Sequence, residues 1–257
     1  MYQSIQFHQQ GLPGNVFIMA NTYFQFKQFT IHQDNCAMKV CTDACLFGAW
    51  VANELNANNH LQSCLDIGTG TGLLSLMLAQ KTSAFIDAVE IDKAAFEQAK
   101  ENIYQSSWSD KISIVNTDIN AFDTNKKYDC IISNPPFFEG DLKSSISNKN
   151  AAKHDTTLTL QQLLQVVDKT LQQDGYFAIL LPYHRTDFFI EAAAKSALYL
   201  SKKVLIKQTS GHDYFRAILL FERQQKIVSN EEIIIKDESN NYTEAFVGLL
   251  KDYYLFL

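Results

Sequence analysis

Alternating strand and helix signals predict an α/β fold, with a mainly parallel sheet covered by helices on both faces. Three observations carry that prediction. From Leu61 onward, short apolar runs alternate with amphipathic stretches. A glycine-rich turn joins the first of these strands to its helix. The last two strands are separated by residues 209–213 alone, too few for a helix, so they form an antiparallel hairpin.

The elements follow in order. Residues 23–31 alternate apolar and polar, with Tyr23, Phe24, Phe26, Phe29 and Ile31 as the apolar set, which suits a short strand or hairpin arm. Thr42 reads as a helix N-cap ahead of Ala44, Leu46, Phe47, Ala49, Trp50 and Val51 on helical spacing. Residues 61–67 form a buried strand, 73–80 a helix, 85–91 a strand, 93–104 a helix, and 112–116 and 128–133 two further strands. A helix over 158–171 is opened by Thr156 or Thr157, and a strand over 176–181 begins after the Asp174-Gly175 break. Residues 186–197 are helical, 203–208 and 214–222 are the hairpin strands, and the 241–257 tail has room for a final helix.

Composition narrows the function class. The 257 residues are 46% hydrophobic and 19% charged, the make-up of an ordinary globule with a substantial core. No apolar stretch approaches the roughly 20 residues needed to cross a bilayer, and residues 1–10 carry no secretory pattern, so a cytoplasmic location is expected. The five cysteines form no C-x-x-C pair and the six histidines do not cluster with them, so no metal is expected. A net charge of −6 argues against a protein that coats nucleic acid, while allowing a local basic patch.

The first chemical motif is Asp66-Ile67-Gly68-Thr69-Gly70-Thr71-Gly72, at the turn from strand to helix. Glycine there lets backbone N–H groups approach a ligand, and ligands of open α/β sheets bind at the carboxyl ends of the strands. The acid ahead of the G-x-G-x-G run disfavours a pyrophosphate but suits a cofactor carrying an ammonium and a sulfonium. NAD and FAD are the competing cofactors, and a tight turn without ligand is the plain alternative. Glu90 ends the second strand and can accept both ribose hydroxyls. Asp118 follows the third and can accept from an adenine amino group, with Ile119 against the ring.

The second motif, Asn134-Pro135-Pro136-Phe137, follows the fourth strand and holds two of the four prolines. Paired prolines restrict the backbone and supply no N–H donor, so the local carbonyls are presented as acceptors. The Asn134 side chain and the Pro135 carbonyl can grip the hydrogens of a planar amino nitrogen, while Phe137 offers a ring for stacking. Such a grip concentrates the nitrogen lone pair without a strong base. A rigid turn ending a strand is the structural alternative.

Taken with these motifs, the sequence resembles the class I S-adenosylmethionine-dependent methyltransferases of the amino-nitrogen group. More narrowly it is similar to the bacterial tRNA1(Val) adenine-N6 methyltransferases. Besides both motifs, the narrower resemblance rests on Phe24-Gln25-Phe26-Lys27-Gln28-Phe29, Cys36-Ala37-Met38-Lys39-Val40-Cys41-Thr42-Asp43, Leu46-Phe47-Gly48-Ala49-Trp50, Ala88-Val89-Glu90 and Ala151-Ala152-Lys153-His154.

The resemblance implies a Rossmann-like fold with a mainly parallel seven-stranded sheet and an antiparallel C-terminal hairpin. It implies one methyltransferase domain over 1–257, with a catalytic core over 59–225 and extensions at 1–58 and 226–257. S-adenosyl-L-methionine is the cofactor it implies, bound by Asp66, Gly68, Gly70, Gly72, Glu90, Asp118, Ile119 and Asn134. Lys39, Thr42 and Asp43 belong to a segment expected to close over that cofactor. The implied substrate is an adenine beside the anticodon in the anticodon loop of a tRNA, handled by a monomer.

The same Asn-Pro-Pro-aromatic motif also serves enzymes that methylate glutamine in release factors. Those use tyrosine as the aromatic and carry a helical N-terminal domain, for which about 60 residues leave too little room. Methylation of an rRNA or DNA adenine is a further alternative. Lys143, Lys149, Lys153 and His154 after the motif, and Lys202, Lys203 and Lys207, are the basic groups that can meet RNA; a solvated face is the bland reading of each.

Overall fold

The structure is a computed structural model that describes residues 21–36, 38–56, 61–122, 125–136 and 158–257. Its strands are β1 (Tyr23–Gln25), β2 (Thr30–His32), β3 (Ser63–Ile67), β4 (Phe85–Glu90), β5 (Ile112–Asn116), β6 (Tyr128–Ser133), β7 (Leu171–Pro182), β8 (Tyr199–Lys207), β9 (Tyr214–Glu222) and β10 (Ser229–Ile234). Its helices are α1 (Thr42–Asn56), α2 (Leu73–Lys81), α3 (Lys93–Tyr104), α4 (Leu160–Thr170), α5 (Thr186–Ala194) and α6 (Glu244–Leu250).

Eight strands form the main sheet in the order β10-β8-β9-β7-β6-β3-β4-β5. Strands β7, β6, β3, β4 and β5 are parallel, and β9 runs antiparallel to both β7 and β8. The expected hairpin is therefore present. One difference from the seven-stranded expectation is that Ser229–Ile234 adds an eighth strand, parallel to β8. Its sequence alternates little and is mostly exposed, so periodicity gave it no strand signature.

Neighbouring residues on the central strands divide between two apolar layers, as strand geometry requires. Cys64, Cys130, Ile132, Ala178 and Leu180 face a layer with α1, α2 and α6. Leu65, Ile131, Phe177, Ile179 and Leu181 face a second layer with α4 and α5. Both faces being covered explains the near-continuous apolar character of these strands.

The first and last described segments meet on the first layer. The β1–β2 hairpin stacks Phe26 on Phe29 at 4.5 Å and packs Phe24 and Phe26 against Tyr254 at 5.5 and 5.9 Å. Lys27 N donates to Tyr253 O at 2.7 Å, and the Tyr253 hydroxyl donates to Met77 O at 3.0 Å. Asn102 of α3 ties the hairpin down. It accepts from His32 N and donates to the carbonyls of His32 and Thr71, each at 2.9 Å.

Three local expectations change. Thr42 is the first residue of α1 rather than its cap, because Cys45 N donates to Cys41 O at 3.1 Å and places Cys41 at the cap. Helix α4 is capped by Thr159 in a reciprocal capping box with Gln162; Thr156 and Thr157 lie outside the described residues. Strand β7 runs straight through Asp174-Gly175, where the register with β6 shifts between Tyr128 and Cys130. A Cβ on Gly175 would stand 2.8 Å from Leu171 Cδ1 and 3.0–3.1 Å from the carbonyls of Tyr128 and Asp129, so the glycine serves close strand approach and not a break. Gly175→Ala is expected to destabilise the protein by about 1–3 kcal/mol through overpacking at this bulge. Urea unfolding measures it, and an unchanged midpoint would refute the close-approach reading.

Candidate active site

Strand register gathers the motif residues at one edge. Ile67 pairs with Val89 on one side and Ser133 on the other, so Gly68, Glu90 and Asn134 emerge from adjacent carboxyl ends. Glu90 in turn pairs with Asn116, which brings in the turn to Asp118 and Ile119. The order in which strands are added reverses between β3 and β6, the place where open α/β sheets bind ligands.

The glycine turn is built around one buried carboxylate. Asp66 is fully buried, and its Oδ2 accepts from Thr69 Oγ1 at 2.6 Å and Ser75 Oγ at 2.7 Å. Its Oδ1 is buried without a hydrogen-bond partner. Burial pushes the Asp66 pKa up to about 6, against the pull of the two hydroxyls and with a further push from Glu90. Gly68 and Gly70 adopt φ of 72° and 59°, and a Cβ on either would meet nothing within 4 Å. Their backbone is thus both left-handed and open in front. Gly72 leads into α2, its N–H donating to Thr69 O at 3.0 Å.

Glu90 is almost buried and accepts from Gly70 N at 2.8 Å and Asp92 N at 2.9 Å. A carboxylate offers about four acceptor sites, so it is oriented by the backbone while retaining capacity for a ligand. Asn116 clamps the next turn by donating to the carbonyls of Glu90 and Ile91 at 2.8 and 3.1 Å. Asp118 is exposed and caps a short turn, accepting from Asn120 N at 2.8 Å, with Ile119 buried behind it.

At the end of β6, the Ser133 hydroxyl donates to Ile67 O at 2.9 Å and locks this strand end to the glycine turn. Asn134 is half-buried, Pro135 buried and Pro136 exposed. The Asn134 side chain makes no hydrogen bond to a described residue, which leaves its amide available. Phe137 and the basic residues Lys143, Lys149, Lys153 and His154 lie outside the described residues.

The N-terminal segment meets this edge at Asp43. Before it, burial, then the charges of Glu90 and Asp92, push the Cys36 thiol up to about 11. Seven residues on, Asp43 Oδ2 accepts from Arg216 Nε at 2.7 Å on β9. Lys39 is exposed and reaches only Asn21 O at 3.5 Å, and Thr42 is exposed. Asp43 therefore spends one oxygen on an ion pair that the sequence did not announce, since its partner is 173 residues away. Thr69, Ser75, Asn102, Asn116 and Arg216 were likewise not singled out; only Thr69 and Ser75 carried a signal, as hydroxyls just after a buried acid.

Of the second basic cluster, each member is matched by a carboxylate. Lys202 pairs with Glu54 at 2.7 Å, Lys203 with Asp187 at 3.6 Å and Lys207 with Glu232 at 3.2 Å. Those carboxylates offset the charge of the cluster, which favours the solvated-face reading over a phosphate site. Among the described residues no group of histidine, cysteine and acidic side chains can hold a metal ion, and no helix is long and apolar enough to cross a membrane.

The cradle fits S-adenosyl-L-methionine. An open glycine turn, an orphaned carboxylate oxygen behind it and an oriented acid on the next strand suit a cationic cofactor that carries no phosphate. Comparison with known proteins agrees. The family pattern described as methyltransferase small domain matches residues 49–186. A protein of Dyadobacter fermentans named tRNA1(Val) (adenine(37)-N6)-methyltransferase is 43% identical over 240 residues, covering 91% of this chain and 98% of that one. Among solved structures, a predicted O-methyltransferase from Agrobacterium tumefaciens superposes with a TM-score of 0.61 at 14% identity, covering 82% of this chain and 96% of that one. A glycopeptide N-methyltransferase solved with S-adenosyl-L-homocysteine does so at 0.50 and 11% identity, covering 69% and 87%. The fold is that of the class I, S-adenosyl-L-methionine-dependent methyltransferases. The chain belongs to the methyltransferase small domain family and, within it, to the tRNA1(Val) (adenine(37)-N6)-methyltransferases.

Proposed function

We propose that the protein methylates N6 of an adenine in tRNA, at position 37 of tRNA1(Val), beside the anticodon. The observation that carries this reading is the Asn134 amide, without a hydrogen bond among the described residues and level with the glycine turn on the adjoining strand end. The names of the relatives supply the substrate. We read the chain as one cytoplasmic, monomeric unit, a core over 59–225 with the extensions 1–58 and 226–257 packed on it.

In this reading Gly68, Gly70 and Gly72 cradle the cofactor, Glu90 takes the ribose hydroxyls, and Asp118 and Ile119 hold the adenine ring. The segment of Lys39, Thr42 and Asp43 covers it; the ion pair of Asp43 with Arg216, on the strand beside β7, supports that role. When bound, S-adenosyl-L-methionine supplies a methyl group activated on a sulfonium. Asn134 Oδ1 and the Pro135 carbonyl accept the two hydrogens of the target amine, and Phe137 stacks on the base. That grip turns the nitrogen lone pair out of conjugation, which removes the need for a strong base, and the surplus proton passes to water. Pro136 has no N–H to compete for the same acceptors.

Incubating the protein with labelled cofactor and total RNA from a strain lacking the gene tests the assignment. Label is expected in N6-methyladenosine of tRNA; label in protein glutamine alone would overturn it. Asn134→Ala is expected to keep cofactor binding and lose turnover by about 100-fold or more, in line with losing a preorganised polar contact to the reacting centre. Undiminished turnover would take Asn134 out of the mechanism.

Asp66 gives a pH signature. Its carboxyl pKa is raised on folding from 3.8 to about 6, so its contribution to stability is fully present below pH 4 and is lost as pH rises through about 6. The difference amounts to about 3 kcal/mol. Asp66→Asn is expected to be more stable than the parent above pH 6, relative to their difference at pH 4, and to bind S-adenosyl-L-methionine more weakly. Parallel urea titrations at the two pH values, with calorimetry of cofactor binding, check both statements.

A further inference from the structure

The edge that carries Asn134 continues onto β7 and β9. Pro182, at the end of β7, pairs with Arg216 on β9. Just outward of that pair, Tyr183 and Tyr214 meet with ring centroids 5.3 Å apart at 49°. Tyr214 is held on several sides. Its hydroxyl donates to Glu232 at 2.6 Å, and Lys207 Nζ lies 4.4 Å from its ring centroid. Tyr183 opens a short turn and its carbonyl accepts from the Thr186 hydroxyl at 2.8 Å, yet the residue remains 40% exposed. The core does not need an aromatic ring at that position. A ring kept half in water against an immobilised neighbour presents a preorganised flat face.

We propose that Tyr183, backed by Tyr214, is a stacking platform for an unpaired RNA nucleotide adjoining the target adenine, an inference that rests on the tRNA reading above. Placement supports it. Ile179 pairs with Ser133, so Asn134 is level with Leu180, and Tyr183 opens the turn just past the end of the adjacent strand, three residues beyond Leu180. That is about 10 Å along the strands and about 5 Å across them, within the reach of one continuous stretch of single-stranded RNA. Chemistry supports it too. Extruding the target base removes its stacking partners, and a ring that stacks the neighbouring base offsets part of that loss. Charge does not supply the attraction, because Glu232 already matches Lys207 at 3.2 Å. The contact is therefore made by the ring face and is insensitive to salt, unlike a phosphate contact. Tyr183 touches no reacting atom; it is a specificity and positioning residue.

The test compares the full-length wild type with Tyr183→Ala and Tyr183→Phe. Affinity is measured by fluorescence anisotropy with a labelled anticodon stem-loop RNA carrying an unmethylated target adenine, at low and high salt. Calorimetry with S-adenosyl-L-methionine reports on the fold and the cofactor site. Tyr183→Ala is expected to weaken RNA binding between about 5-fold and about 100-fold, by the same factor at both salt concentrations. Cofactor affinity stays unchanged, and Tyr183→Phe retains wild-type affinity for RNA. Wild-type RNA binding by Tyr183→Ala, a deficit that disappears at high salt, or a Phe variant as weak as the Ala variant would each overturn the platform. If the wild type methylates tRNA and Tyr183→Ala binds normally, the platform alone falls. If the wild type ignores RNA and methylates protein, the substrate assignment falls and the platform with it.

Discussion

Parallel pairing of β6, β3 and β4 is the constraint on which the site depends. With Ile67 held between Val89 and Ser133, three strands end within a residue of one another. A glycine turn from β3, an acid from β4 and an amide from β6 then emerge at the same edge. A slip of one residue in any of these pairings would turn the side chains of that strand to the opposite apolar layer. Two well-filled layers therefore hold the register, and the register holds the site.

Polar groups placed just behind the edge refine it. Asp66 is not positioned to meet solvent; it organises Thr69 and Ser75 around one oxygen and leaves the other unmatched. A buried acid of this kind costs stability once ionised, and such local frustration is characteristic of ligand sites. Ser133 and Asn116 bind strand ends to neighbouring turns through backbone carbonyls, so the loops that face the cofactor have little freedom of their own.

The N-terminal hairpin and the C-terminal tail hold each other in place. Phe24, Phe26, Phe29 and Tyr254 clasp the N-terminal hairpin to the C-terminal tail. Asn102 then links that hairpin to the glycine turn through Thr71. Further along the chain, Asp43 is tied to β9 by Arg216.

Much of this was legible in the residues. Strand and helix order, the closing hairpin, the glycine turn, Glu90 and the Asn134-Pro135-Pro136 corner follow from short-range periodicity and from backbone chemistry that a few adjacent residues decide. What the sequence could not reveal depends on partners far apart in the chain. Arg216 finds Asp43 across 173 residues, and Glu232 neutralises Lys207 only because β10 lies beside β8. Strand β10 itself is an edge strand with little alternation, formed by pairing rather than by propensity. Gly175 looked like punctuation but proved to be a point of close strand approach. Local sequence determined which chemistry is present, since spacing and side-chain type are local properties. Tertiary structure decided which charges remain available and which rings face outward, because both are set by whatever packing brings alongside.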